Sequence, residues 1–359
     1  TAPWPAWVSP DVADAWRRAG IEQLWQHQAT AADQARAGVL TVLSTGTASG
    51  KSLGYLLPAL TAITEKRGPR GRRGSTTLYL APTKALAQDQ LATLRRLGIP
   101  DLCVSTHDGD SSPEEREWTR DHGEYVLTNP DMLHRSLLPG HERWTRFWAA
   151  LDYVVIDECH HYRGVFGAHV AQIMRRLRRV AALYGANPTF VLASATVAEP
   201  EVAAGRLTGL EVQAVTDDAS PRGQVALALW EPPFVSHSGE NGAPVRRSAT
   251  AEMADLLTDL VIEGVRTLAF VRSRHGAETV ALHTRRLLDE VDAELAGRVA
   301  AYRGGYLPEE RRALEQSLRS GELIGLAATN ALELGIDISG LDAVLIGGFP
   351  GTRAALWQQ

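Results

Sequence analysis

The run Thr45-Gly46-Thr47-Ala48-Ser49-Gly50-Lys51-Ser52 follows the apolar stretch Val39–Leu43 and precedes Leu53-Gly54-Tyr55-Leu56-Leu57, so strand, glycine-bearing loop and helix come in that order. This order fits an α/β chain and suits a phosphate. Gly46 and Gly50 allow close backbone approach along Thr47, Ala48 and Ser49, and a helix N-terminus faces the charge. Lys51 supplies an ammonium and Ser52 a hydroxyl for magnesium. The chain is therefore expected to bind a nucleotide. One position departs from the strict pattern G-x-x-x-x-G-K-[ST]: Thr45 stands where its first glycine belongs. The competing reading is a glycine-rich turn with a surface lysine.

Further strand-like runs lie at Thr77–Leu80, Tyr125–Leu127, Tyr153–Ile156 and Phe190–Ala193, with helical patterns over 85–97 and 167–184. Such alternation predicts a mainly parallel sheet with helices on both faces. A polar break at 216–223 reads as a linker. A second set follows, with strands expected at 224–229, 267–271, 323–328 and 343–346, helices near 250–263, 276–288 and 308–319, and a loose surface loop over 235–245. The 359 residues suit two domains of about 150 residues each, here 1–215 and 224–359. No short-period repeat is visible, but two α/β halves of similar size suggest duplication.

A net charge of −5 argues against a broad basic face for nucleic acid and leaves room for a narrow groove. Arginines at 67, 70, 72 and 73 read as a loop tip; Arg175, Arg176, Arg178 and Arg179 read as the solvated side of a helix. The sequence contains no bilayer-length apolar run and no charged-then-apolar leader, so a soluble, cytoplasmic protein with no membrane partner is expected. Cys103 and Cys159 are far apart, which excludes a disulfide framework and a four-cysteine zinc site and fits a reducing compartment. Thr1 and Gln359 read as trimmed ends of a longer protein.

The run Tyr153–Ile156 ends in Asp157-Glu158-Cys159-His160, placing two carboxylates at the C-terminal end of a buried strand, where open parallel sheets bind ligands. Asp157 is suited to hold magnesium through its water shell, and Glu158 to orient or deprotonate the water that attacks a γ-phosphate. Zinc is a competing reading for Glu158, His160, His161 and His169. The spacing H-E-x-x-H is absent, however, and adjacent histidines just after a strand are expected to point apart, which disfavours a metal cage. His160 is better placed to contact the nucleotide site or its coupling machinery; His161 receives no role.

Together these two motifs resemble those of the DExH-box helicases of superfamily 2, which implies two tandem RecA-like domains using ATP and Mg2+. The resemblance extends over nearly the whole chain. Gln28 stands where that family keeps an adenine-reading glutamine. Ala81-Pro82-Thr83-Lys84 and Leu127-Thr128-Asn129-Pro130 resemble strand-gripping motifs, and Ser194-Ala195-Thr196 the motif that couples hydrolysis to movement. Phe270-Val271-Arg272-Ser273-Arg274 and the run Ala328–Asp337, with Thr329, Gly335 and Asp337, match two motifs of the second domain. Thr83, Thr128 and Thr329 are short hydroxyl residues at strand-to-helix turns, able to hold phosphates with backbone N–H groups and little net charge. Taken singly, each reads as an ordinary helix cap. Lys84 and Arg272 would add direct phosphate contacts, and Gly335 and Asp337 would link the strand path to the nucleotide.

The stretch 157–170 with 174–179 is similar to the SftH/YprA group of bacterial DNA helicases. That likeness implies a 3′-to-5′ motor on single-stranded DNA in repair or genome maintenance, monomeric, usually followed by a cysteine-bearing domain. RNA is the less favoured substrate. An ATP-binding nucleic-acid clamp and a transport or signalling ATPase are the other readings. The family also carries a motif Q-x-x-G-R-x-G-R; Gln358 resembles its opening glutamine, and the sequence stops at Gln359. The stretch given is therefore expected to be weakly active or inactive.

Overall fold

The computed structural model of the chain describes residues 1–66, 74–221, 223–238, 243–329 and 340–358. The arginines at 67–73 and the pair Gly335 and Asp337 lie outside the described residues. The chain divides into two compact units, Thr1–Arg222 and Gly223–Gln359.

Unit 1 contains seven strands: β1 (Thr41–Ser44), β2 (Thr76–Leu80), β3 (Val104–Thr106), β4 (Tyr125–Thr128), β5 (Leu151–Ile156), β6 (Thr189–Ser194) and β7 (Gln213–Val215). They form one sheet in the order β3-β4-β2-β5-β6-β1-β7, and every pairing is parallel. Alternate side chains enter two different cores, as the period of two requires. Leu43, Tyr79, Val155 and Val191 pack beneath the helices Ser52–Glu65 and Lys84–Leu97. Val42, Leu78, Val154 and Leu192 face the opposite layer with Trp148 and the helix Gly164–Leu183. Because Ser44 is level with Ser194, and Leu80 with Thr128 and Ile156, the loops after β1, β2, β4, β5 and β6 emerge along one edge.

Unit 2 contains an antiparallel pair, β8 (Phe234–Ser238) with β9 (Pro244–Arg246). Its parallel sheet is built from β10 (Thr267–Phe270), β11 (Val299–Tyr302), β12 (Gly325–Ala328) and β13 (Ala343–Ile346), in the order β11-β12-β10-β13. Leu268, Phe270 and Leu326 fill one face, while Ala269 and Ala327 meet Leu257 and Val280 on the other. Both sheets are those of RecA-like α/β domains.

Three expectations change here. Residues 224–229 form no strand among the described residues, and Val225, Leu227 and Leu229 are exposed; their alternation has no neighbouring strand to satisfy. The stretch 235–245, expected to be a loose loop, includes β8 and β9, where the Arg246 guanidinium lies 4.0 Å over the Phe234 ring. The arginines of the helix Gly164–Leu183 are not merely solvated. Arg178 Nη1 donates to the carbonyls of Thr208 and Gly209, and Arg175 Nη2 to that of Arg206, so both satisfy carbonyls at the end of the helix Pro200–Thr208.

Candidate functional site

The loop after β1 is held both by its own side chains and by side chains from outside it. Thr45 Oγ1 and Ser49 Oγ lie 2.7 Å apart, and Ser49 Oγ donates to the Gly46 carbonyl at 2.8 Å. This hydroxyl pair accounts for the missing glycine at 45: the loop is braced from inside. Both side chains are buried, while Thr47 and Ala48 are exposed. Gly50 has φ +72°, and a Cβ there would lie 2.4 Å from Gln28 Nε2, so any other residue would strain the backbone and displace the Gln28 amide. Ala48 carries φ +57° without being glycine, a conformation costing about 1–2 kcal/mol. The Lys51 ammonium donates to the carbonyls of Gly46 at 2.7 Å and Thr45 at 3.4 Å. Burial lowers its pKa, opposed by Glu158, Asp157 and Asp218.

Gln28 is buried at the start of the helix Gln26–Arg36. Its Oε1 accepts from the Trp25 N–H at 2.8 Å, completing a capping box, and its Nε2 donates to the Gly50 carbonyl at 3.0 Å. The structure thus ties both ends of this amide to the protein. Two residues without a sequence-level role complete the clasp. His27 bridges the Ser49 carbonyl at 2.9 Å and the Ala219 N–H at 3.2 Å. Asp218 Oδ2 accepts from the Gly46 N–H at 3.0 Å, and its Oδ1 from Ser220. Part of the expected linker 216–223 is therefore built into unit 1, because its carboxylate finds backbone donors there.

Asp157 follows β5 and is 8% exposed. Its Oδ2 accepts from Tyr79 Oη at 2.6 Å and Tyr55 Oη at 3.0 Å, and its Oδ1 from the Glu158 N–H at 2.9 Å. Burial first, then the Asp157 charge, pushes both phenols well above the usual tyrosine range, so both remain donors at any physiological pH. Helix Ser52–Glu65 and β2 bring these tyrosines in; neither was apparent from the sequence. Tyr55 lies one helical turn after Lys51, a spacing that puts it on the same face.

Glu158 has φ +47°, ψ +42°, a left-handed conformation of the kind that clusters at functional sites. Burial, then the Asp157 charge, raises its carboxyl to about 7, with Lys51 opposing. Its Oε2 lies 3.3 Å from His160 Nδ1, which also accepts from the Ala195 N–H at 3.2 Å. His160 thus connects the carboxylate turn to Ser194-Ala195-Thr196, and burial takes its pKa down to about 3. On the same turn, Ser194 is buried and Thr196 exposed. Contrary to the expectation that the adjacent histidines diverge, the short helical turn Cys159–His161 brings the rings of His160 and His161 to 4.2 Å, and a ligand atom from each lies within 4.8 Å of Glu158.

The other candidates lie along the same edges. Thr83 Oγ1 accepts from the Leu86 N–H and Asn129 Oδ1 from the Met132 N–H, each capping a helix after a strand, with Pro82 and Pro130 beside them. Ser273 does the same for Gly276 after β10. Such caps leave neighbouring helical N–H groups open to an anion. Thr128 is buried and donates to the His107 carbonyl at 2.6 Å. Thr329 is buried at the end of β12. Lys84 pairs with Asp110 at 2.6 Å, and exposed Arg272 donates to the Phe349 carbonyl at 2.5 Å.

The oxygen donors of Ser52 and Asp157 suit magnesium, which prefers oxygen ligands and retains waters. No helix of the described residues is long and apolar enough to cross a membrane.

Residues 25–204 match the DEAD/DEAH box helicase family and residues 251–359 the helicase conserved C-terminal domain. The chain is 42% identical to the uncharacterized ATP-dependent helicase YprA of Bacillus subtilis, over all of this chain and 47% of that protein. It is 40% identical to the ATP-dependent helicase HRQ1 of Saccharomyces cerevisiae, over 94% of this chain and 31% of that one. The crystal structure of the helicase MrfA bound to DNA superposes with a TM-score of 0.93 at 40% identity, covering all of this chain and 47% of that one. MrfA bound to DNA and AMPPNP gives 0.92 at 41%, covering all of this chain and 49% of that one. The chain thus spans about half the length of YprA and MrfA and about a third of HRQ1. With both halves matched in order along one chain, and the phosphate loop and paired carboxylates set at one sheet edge, the protein belongs to the DEAD/DEAH box helicases.

Proposed function

We propose that the protein is an ATP-dependent DNA helicase or translocase, moving 3′-to-5′ on single-stranded DNA in genome maintenance, in the cytoplasm and as a monomer. The observation that carries the reading is the single sheet edge of unit 1. It presents Lys51, Asp157 and Glu158 together with the helix caps at Thr83 and Asn129. Lys51 holds the phosphates, Ser52 and Asp157 hold magnesium, and Glu158 acts on the attacking water. Gln28 reads adenine by exchanging its bond to Gly50, and Gly335 and Asp337 complete the nucleotide contacts. Magnesium supplies charge neutralisation on the phosphates. His160, Ser194 and Thr196 couple turnover to strand movement. Thr83, Lys84, Thr128, Asn129, Arg272, Ser273 and Thr329, with Pro82 and Pro130 shaping the turns, contact the sugar–phosphate backbone. DNA is favoured over RNA by the likeness to DNA-bound MrfA.

ATP hydrolysis by the full-length protein at fixed salt, with no polynucleotide, single-stranded DNA or RNA, tests the reading. Stimulation by DNA in excess of RNA is expected. Stimulation by RNA alone would reassign the substrate, and no stimulation by either would remove the motor reading.

The phenols on Asp157 give a second expected outcome. Hydrogen bonds to charged groups contribute about 1.5–3 kcal/mol, so Tyr79→Phe should raise the Mg2+ concentration for half-maximal binding of a fluorescent ATP analogue about tenfold. Tyr55→Phe, losing the longer bond, should raise it less. An unchanged Mg2+ requirement in both variants would show that the tyrosines do not orient Asp157.

A further inference from the structure

Around Glu158 the structure holds a second set of donors that the helicase reading uses only in part. Glu158, His160 and His161 each offer one ligand atom, and these atoms lie within 4.8 Å of one another. Ligands around a tetrahedral zinc ion stand about 3.4 Å apart, given metal–ligand distances near 2.0–2.2 Å. Glu158 Oε2 and His160 Nδ1 are already 3.3 Å apart. Because His160 Nδ1 accepts the Ala195 N–H, it has no proton to donate to the carboxylate. Two acceptors facing each other are a contact that a cation relieves. His161 Nε2 is buried without a hydrogen-bond partner, and its ring lies 4.2 Å from that of His160.

We infer that Glu158, His160 and His161 form a binding site for one divalent transition-metal ion of the zinc class, and that its occupancy stops ATP turnover while sparing nucleotide binding. Imidazole donors select zinc, cobalt and nickel over magnesium, which demands oxygen, so this site and the Ser52–Asp157 donors discriminate by chemistry. Three protein ligands leave a fourth position for water or a phosphate oxygen. The metal would act in two ways. It takes the Glu158 carboxylate away from the attacking water, and it takes the His160 lone pair that holds Ala195. Inhibition rests on the ATPase reading above; metal binding does not.

The test uses Co2+ and Zn2+ as probes, with His161→Ala and His161→Gln as variants, since His161 takes no part in the proposed hydrolysis. One equivalent of Co2+ should give the visible absorption of a tetrahedral nitrogen–oxygen site, and Zn2+ should abolish it. At saturating Mg2+, Zn2+ should inhibit hydrolysis without changing binding of a fluorescent ATP analogue. Both variants should lose the cobalt spectrum, keep Mg2+-dependent turnover, and need about tenfold or more Zn2+ for the same inhibition. A wild-type protein without the cobalt spectrum overturns the site, as do variants that bind Co2+ and respond to Zn2+ as the wild type does. A cobalt spectrum that depends on His161 in a full-length protein with no measurable turnover upholds the site and overturns the ATPase reading instead.

Discussion

Glu158→Gln is expected to abolish ATP turnover, by roughly 10²–10⁴-fold, while leaving ATP binding intact. The substitution keeps the volume of the side chain but removes the carboxylate that we propose orients or deprotonates water. The wild-type carboxyl titrates at about 7 because of burial and the Asp157 charge, and only its ionised form serves as a base. Turnover per free enzyme, kcat/KM, should therefore rise with pH through about 7 and level off above it. The variant's residual rate should lack that limb. Steady-state kinetics from pH 5.5 to about 9 would check both; full turnover in the variant would remove Glu158 from its role.

Lys51→Ala should be as damaging by a different route. Loss of a cationic clamp on a transferring phosphoryl group costs about 10²–10³-fold in rate, and here nucleotide affinity should fall as well. The Lys51 charge also opposes the upward shift of the Glu158 carboxyl. Without it, any residual activity should show its acid limb displaced to higher pH. Lys51→Arg keeps the charge and should restore the position of the limb without restoring the geometry of phosphate contact. Equal pH profiles for Lys51→Ala and the wild type would show that the two charges do not communicate.

What was legible in the sequence follows from the range of the interactions. The buried parallel strands β2, β5 and β6 appear as continuous apolar runs because both faces are covered. Lys51 and Asp157-Glu158 could be located because each motif is a local turn after such a run. Short β3 and β11 were missed, since three or four residues carry little periodicity. The stretch 224–229 shows the opposite error: alternation states which side chains share a face, and it cannot supply a neighbouring strand. The bonds of Asp157 to Tyr55 and Tyr79 join residues 102 and 78 positions apart, and that of Asp218 to Gly46 spans 172. No local pattern announces such contacts. The proximity of His160 and His161 was misjudged because extended geometry was assumed where the chain makes a helical turn.

The strand order has a consequence for how the protein is made. β1, which carries the phosphate loop, pairs with β6 and β7, the last two strands of unit 1 to be synthesised. The Asp218 bond to the loop closes later still. Until roughly 150 further residues have followed it from the ribosome, β1 has no strand to lie against, however complete the motif itself is. At typical synthesis rates of roughly 5–20 residues per second, the nascent chain waits roughly 8–30 seconds with this loop unsupported. Nucleotide binding would then serve as a signal that the first unit is finished, and ATP present during translation would stabilise only chains that have closed the sheet.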